Sequence, residues 1–438
     1  MNSSEMRKAF SSKRLRFAAL FLISITLAES GCSCASVPVE VSNLYRIGWP
    51  QELHDGQYTS HTGTTIRGGA TASWIQPLAD SVELHRQCLV GEDTVISSWL
   101  DSKGQPGLCG LDLEDGRVLW KKELEPETAA GPFFLTAFGL VLARSGQNTN
   151  SVELIDPKSG QTMWLRDVEP TMSRVCVTND EIVLVLNNRE VVVLEARDGS
   201  IRTRAELEST RSPGNQHEPK YSTSWLYNQG VIYLGFPRTI EAFRTSDGRL
   251  KWIWEVPSEH QGMLRFPVDS ESSMMAYLEN APLQSYEILS IDKSTGTTRW
   301  IYHGLSLTKS SLLLSNSGPI LVEINPEPNT EPESGHSVLS IRLLDESSGV
   351  ASDLVDYDYG ISDLSKTTIV SSVVAGADLF VTAGDGHVVR FPLNQRRTRS
   401  SFEFDGDSHI ISAGYNCLIV TSLNRNPGKS IMSVTCIR

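Results

Sequence analysis

Hydrophobic and polar residues alternate along this chain in short runs separated by turn-forming residues. TVISSWL (94–100), EIVLVL (181–186), VIYLGF (231–236) and DLFVTA (378–383) are rich in β-branched and aromatic side chains. Such runs read as strands that bury one face or both. No stretch repeats its apolar residues at helical spacing over the length of an amphipathic helix, so the pattern predicts an all-β chain.

The most informative run is LDLEDGRVLW (111–120). It reads as a strand, a tight turn closed by Asp115-Gly116, and a second strand carrying a large aromatic. The short carboxylates of Asp112 and Asp115 can accept turn N–H groups, and Gly116 can take the positive φ of a two-residue hairpin turn. The run is rewritten as VELIDPKSGQTMW, IEAFRTSDGRLKW and LSIDKSTGTTRW, ending at Trp164, Trp252 and Trp300. VVVLEARDGSIRT and IRLLDESSGVASD are weaker copies, ending at Thr203 and Asp353. Glycines 116, 160, 199, 248, 296 and 349 follow one another at intervals of 39 to 53 residues, the period of a four-stranded propeller blade with loops of variable length.

Seven blades are predicted at 82–125, 131–168, 172–207, 221–257, 262–303, 307–357 and 366–404. At the C-terminus HIISAG (409–414), NCLIVTSL (416–423) and SIMSVTCI (430–437) form three strands, and the chain stops where a fourth should begin. TASWIQPLA (71–79), with Trp74, looks like an outer strand without inner partners. Trp74's strand is therefore expected to complete the last blade, which closes the ring and removes the open sheet edges. The prediction is an eight-bladed β-propeller, with seven blades as the alternative if VVRFPLNQRRTRSSFEF (388–404) belongs elsewhere.

Three blades depart from the pattern. Glu195 and Thr203 replace Asp and Trp in the third, Asp353 takes the Trp place in the sixth, and the seventh keeps neither Gly nor Trp through Asn394–Arg399. Each lost indole removes about 1.5–3 kcal/mol of burial, so looser seams are expected there. The sixth blade also carries the acidic, proline-containing insert INPEPNTEPESGHS (324–337), which reads as a solvated loop.

The repeated element x-D-x-x-[TS]-G-x-x-x-W resembles the tryptophan motif of the PQQ-like (quinoprotein-like) β-propeller repeat family. It is carried by Asp112, Gly116 and Trp120, by Asp156, Gly160 and Trp164, by Gly248 and Trp252, and by Asp292, Gly296 and Trp300. The stretch Trp49–Gly56 is similar to the lead-in of such propellers, which lies along the body before the first strand. The resemblance extends to BamB-type outer-membrane assembly lipoproteins. It implies a propeller that performs no reaction and whose face loops hold a partner subunit or an extended polypeptide, with β-augmentation at a strand edge as one route. The same repeat builds PQQ- and calcium-dependent dehydrogenases, the alternative reading. Those imply a longer chain and two adjacent, bridged cysteines beside the cofactor, and this chain has no neighbouring cysteine pair.

Composition narrows the partners. With 39 basic against 52 acidic residues and a net charge of −13, the chain lacks the basic stripe that nucleic acid requires. Arg7, Lys8, Lys13, Arg14 and Arg16 precede the apolar run Phe17–Ala28, the pattern of an export signal. Ser30-Gly31-Cys32 resembles the end of a lipobox, which would make Cys32 a lipidated N-terminus. Glu29 stands where that pattern takes an aliphatic residue, and cleavage after Ala35 is the alternative. The expected organisation is a leader at 1–35, an irregular lead-in segment at 36–70 and one propeller at 71–438. The protein is expected to be exported to the periplasm as a monomer, touching a membrane only through that anchor.

Seven cysteines suit an oxidising compartment without implying a disulfide-built fold. If the last hairpin turns through Asn424–Lys429, Leu423 faces Ser430 and Cys417 faces Cys436, close enough for a disulfide. Cys88, Cys109 and Cys176 read as small core residues.

No G-x-S-x-G elbow, H-E-x-x-H motif or close histidine pair is present. No catalytic, cofactor or metal residue is therefore assigned, and PQQ is not expected. Trp252 and Trp254, on one strand face in KWIWEVP, are explained by packing. The loops opposite the glycine turns are rich in carboxylates and histidines: Glu127, Glu169, His217, Glu259, His260, His303, Asp356, Asp358 and Asp407. They form the candidate partner face, suited to a basic surface or a divalent cation, and equally readable as ordinary solvated loops.

Overall fold

Asp112 and Gly116 together explain the repeated hairpin. The Asp112 carboxylate accepts the N–H of Glu114 at 2.8 Å, while the Gly116 N–H reaches the Asp112 carbonyl at 2.9 Å. The Asp112 N–H then bonds the Arg117 carbonyl at 2.8 Å. The turn is thus a four-residue loop, wider than the two-residue turn expected from Asp115-Gly116. It winds like the first turn of a helix and is reversed at Gly116, whose φ of 74° is open to glycine. Gly248 keeps the same backbone bond to residue 244 although Arg244 stands where the aspartate would be. Glycine is the obligatory part of the motif, and the carboxylate supports it.

In the computed structural model of this chain the described residues are the strands and most of their turns between Ile47 and Arg438. Residues 1–46, 50–60, 81–87, 125–132, 208–223, 305–309, 327–336, 359–368, 394–399 and 404–407 lie outside them, with shorter stretches of other loops. The leader and Cys32 therefore fall outside the described residues.

All described secondary structure is β, arranged as eight sheets. Seven hold consecutive antiparallel strands at 89–123, 133–167, 172–206, 224–255, 263–304, 310–358 and 369–403. The eighth joins three C-terminal strands, within 408–437, to Ala72–Asp80. The degenerate copy at 388–404 supplies two strands of blade 7, His387–Pro392 and Ser400–Glu403, which sets aside the seven-blade alternative. First strands of neighbouring blades approach one another: blade 1 with 2, 2 with 3, 4 with 5, 5 with 6, 6 with 7, 7 with 8, and 8 with 1. They therefore line a common axis, and the sheets form an eight-bladed propeller.

Closure follows the expected route. Ala72–Asp80 pairs antiparallel with Lys429–Ile437, placing Trp74 opposite Cys436, and the Thr71 N–H bonds the Arg438 carbonyl at 3.1 Å. Register breaks at Ala72/Trp74 and Pro77/Ala79, the second where proline cannot donate to the ladder.

The core is divided among the seams between blades. Six seams hold their own apolar cluster, such as Ile96, Leu108, Leu135 and Leu140 between blades 1 and 2, and the two seams of blade 8 share one. Around the rim a second device repeats. Each motif tryptophan lies on the hairpin glycine of the next blade and donates its indole N–H to the carbonyl three residues before that glycine. The bonds run from Trp74 to Leu113 (3.0 Å), Trp120 to Pro157 (2.7 Å), Trp164 to Ala196 (3.2 Å), Trp252 to Lys293 (2.9 Å) and Trp300 to Glu346 (2.7 Å). A Cβ at Gly116 would come within 2.5 Å of the Trp74 ring, so glycine serves both the turn and the seam.

At the seam between blades 3 and 4 Thr203 stands where the motif indole would be. The Glu206 carbonyl fills the place beside Gly248, where a Cβ would approach it to 2.0 Å. Behind it pack Val183, Val193, Tyr227, Ile232 and Phe243. Tyr227 donates its hydroxyl to Glu181 Oε2 at 2.6 Å, and burial first, then this carboxylate, pushes the phenol above its ordinary range. Tyr227→Phe is expected to cost about 1 kcal/mol in urea unfolding. A neutral substitution would show that the hydroxyl carries none of this seam. Leu313, Ile341, Val374 and Leu379 pack the seam between blades 6 and 7. Mixed aliphatic and aromatic packing therefore lies behind the two seams whose motif tryptophan is missing.

Two features differ from expectation. The last hairpin turns at Asn426–Lys429, so Leu423 faces Met432 and Cys436 faces Ile419. Cys417 is displaced two residues from the position facing Cys436, and both thiols are free. The proposed facing pair fails because the pairing register of this hairpin is shifted by two residues. The two remain diagonal neighbours, and the Cys436 sulfur first, then burial, raises the Cys417 thiol. The lead-in segment also has structure: Ile47–Trp49 pairs antiparallel with the first strand of blade 1, and His61–Thr62 pairs parallel with the first strand of blade 7. It thus reaches the axis-facing edges.

Candidate partner-binding face

An up-and-down blade sends its first-to-second and third-to-fourth turns to one face of the ring. Its second-to-third turns and interblade connections emerge on the other. The glycine hairpins occupy the first face, and their polar groups are engaged in the turns and seams. On the second face the described site residues centre on blade 5. Glu287 in Ser285–Asp292 lies opposite His303 of Thr298–Gly304. His303 Nδ1 is 3.1 Å from Glu287 Oε1, and His260 Nδ1, from the connection out of blade 4, is 2.7 Å from Oε2. Arg238, in the turn of blade 4, donates Nη2 to the carbonyls of Val256, Pro257 and His260 at 3.2, 3.3 and 3.2 Å. One guanidinium and one carboxylate thereby pin the connection between these blades. His303 is 69% exposed and Glu287 21%, so the clasp opens to solvent on one side.

Each imidazole addresses a different carboxylate oxygen. The three groups thus surround a bridging carboxylate and have no common centre for an ion. Among the described residues no group of three His, Cys, Asp or Glu side chains has metal-binding geometry.

Glu169, exposed at the end of blade 2, offers its carbonyl to Arg204 Nη2 at 3.4 Å. Arg204 in turn holds Glu190 across the same face, with Nη2 3.0 Å from Oε2. Asp356 and Asp358 lie in the outer strand of blade 6, at the register positions of Ser340 and Val338. Glu127, His217, Glu259 and Asp407 lie outside the described residues. Of the sequence-derived face, the structure brings His260 and His303 together on Glu287, a residue outside the predicted set. The signal was available for Glu287, a carboxylate at the mouth of a strand that pairs with His303 of its own blade, but its second partner, His260, comes from the connection out of blade 4.

Sequence reading also missed the buried polar groups within the seams. Glu153 of blade 2, 3% exposed in its side chain, meets Lys122 of blade 1 at 2.6 Å and also holds Arg144 and Thr162. Between blades 5 and 6 Tyr286 donates to Glu323, and burial first, then that carboxylate, raises the phenol. Tyr277 stacks on Tyr286 at 4.8 Å between ring centres. Trp254, read as packing, is buried and donates to Thr298 Oγ1 at 2.9 Å.

The family model described as outer membrane protein assembly factor BamB matches residues 67–212 and 148–322, more than half of the chain. The chain belongs to this family of PQQ-like propellers. No curated protein matches it in sequence. Among solved structures, BamB from Moraxella catarrhalis is 14% identical, with a TM-score of 0.50 over 84% of this chain and 99% of that one. The quinohemoprotein alcohol dehydrogenase from Comamonas testosteroni is 9% identical, with a TM-score of 0.57 over 89% and 80%. The Dos1 propeller is 11% identical, with a TM-score of 0.54 over 84% and 95%. At these identities the likeness concerns the fold, which BamB, dehydrogenase and other propellers share.

Proposed function

We propose that this BamB-family propeller is an exported, non-enzymatic scaffold that holds an envelope protein or an extended polypeptide, anchored by lipidated Cys32. The observation that carries this reading is where the motif's chemistry goes. Five indole N–H groups are bound to carbonyls of the next blade, and the motif aspartates to turn N–H groups. The recurring residues build a ring, and recognition is left to loops and strand edges that differ from blade to blade. The family's description as an outer-membrane assembly factor supports a partner in that compartment. The alternative, a PQQ-dependent dehydrogenase, has the solved alcohol dehydrogenases in its favour, but the sequence lacks neighbouring cysteines.

The two separate in one experiment. Affinity-tagged full chain, recovered from detergent-solubilised envelope, is expected to bring down a stoichiometric envelope protein. After incubation with PQQ and calcium it is expected to show neither quinone absorbance nor dye-linked alcohol oxidation. Turnover with no co-purifying protein would replace the scaffold with the enzyme.

A further inference from the structure

The innermost strand of each blade presents one backbone edge to the axis, and in two blades the chain itself fills that edge. Ile47–Trp49 runs antiparallel on Leu89–Gly91 of blade 1, with Ile47 opposite Gly91. His61–Thr62 runs parallel on Ile369–Ala375 of blade 7, with His61 opposite Val374 and Thr62 opposite Ala375. The guest strands are three and two residues long, IGW and HT, unrelated in sequence and opposite in direction. What they share is main-chain pairing, the mark of recognition by β-augmentation. The hosts flank blade 8, the blade closed by Ala72–Asp80. One continuous segment therefore visits the inner edges of blades 1 and 7 before reaching the outer edge of the blade between them.

We propose that the axis-facing edges of blades 1 and 7 are the strand-binding sites for an extended polypeptide, and that Ile47–Trp49 and His61–Thr62 are resident strands which this polypeptide displaces. The proposal rests on the scaffold reading and names its site. Guests this short make few ladder bonds, whereas an incoming strand of ordinary length makes more along the seven residues of Ile369–Ala375. Occupancy is continuous with the pairing already present, because the incoming strand takes the place of His61–Thr62 and extends it. Net charge −13 favours a client strand with basic flanks. Pairing of both senses means that the edge selects for an extended backbone rather than a sequence.

The test uses full-length protein and a fluorescent synthetic peptide of about ten alternating valine and threonine residues flanked by lysines. His61→Pro with Thr62→Pro removes both guest amides, so the peptide is expected to bind about tenfold tighter than to the parent chain. That factor follows if the resident strand occupies the edge nine-tenths of the time. Hydrogen exchange should place the peptide's protection on 369–375 and 89–91. Thr62→Cys with Ala375→Cys, paired in register, should abolish the peptide's protection of 369–375 when oxidised and restore it on reduction. This pair keeps the test decisive if the proline variant does not fold. Equal affinity in every form, or protection confined to outer strands or face loops, overturns the proposal while leaving the scaffold reading intact. No peptide binding by any form also overturns it, and the envelope pull-down then decides the scaffold reading alone.

Discussion

Trp74→Ala is expected to lower stability by about 3–5 kcal/mol, the range for truncating a buried tryptophan. It should do so more severely than the same change at Trp164. Both indoles lie on the next blade's glycine, but Trp74 is buried whereas Trp164 is only half-buried, and their N–H···O distances are 3.0 and 3.2 Å. Trp74 also stands on the strand that completes blade 8, and the Leu113 carbonyl it binds is shared with Arg438 at 2.8 Å. Losing the indole therefore loosens the seam at which the two ends of the ring meet. Guanidinium unfolding of the two variants is the measurement. Equal losses would mean that the closing seam is no more critical than any other.

Glu153→Ala is expected to cost about 2–4 kcal/mol, because it leaves Lys122 and Arg144, each about three-quarters buried, facing a site without its anion. The carboxylate also carries a pH signature. Burial pushes its pKa up, but Lys122, Thr162 and Arg144 outweigh burial and hold it below its ordinary 4.5. A folded pKa below the unfolded one gives stability that is complete above the unfolded value and disappears as pH falls through the folded one. Glu153→Gln should therefore flatten part of the acid limb of the stability curve below about pH 4.5. Unchanged acid sensitivity in that variant would remove Glu153 from the account of this seam.

Parts of this protein can be read directly from residue order. Strand positions follow from alternating apolar residues, and blade boundaries agree within a few residues, as with 172–207 expected and 172–206 observed. The glycine turns need only a residue tolerant of positive φ, and the unpaired Trp74 strand needs only three C-terminal strands to complete. These are local or counting arguments. The register of the last hairpin is local too, yet it is shifted by two residues from the expected one, since register choices that differ by two keep the same apolar face inward. That shift moves Cys417 off the position facing Cys436.

The candidate face is less legible. A carboxylate-rich set of loops is visible, but not that Glu287 is the group His260 and His303 share, nor that Arg238 pins the connection beside it. Glu153, Tyr227 and Tyr286 give no signal because each meets a partner on a neighbouring blade, 31 to 46 residues away.

Residue order alone determined an all-β chain, its repeat period, its glycine hairpins and the strand that joins its ends, because periodicity and backbone tolerance act within a few residues. Tertiary structure alone decided which carbonyl each indole finds, which charges meet inside the seams and where the lead-in strands dock. Those outcomes depend on the packing of one blade against the next, and the energy of such contacts appears only when distant segments are brought together.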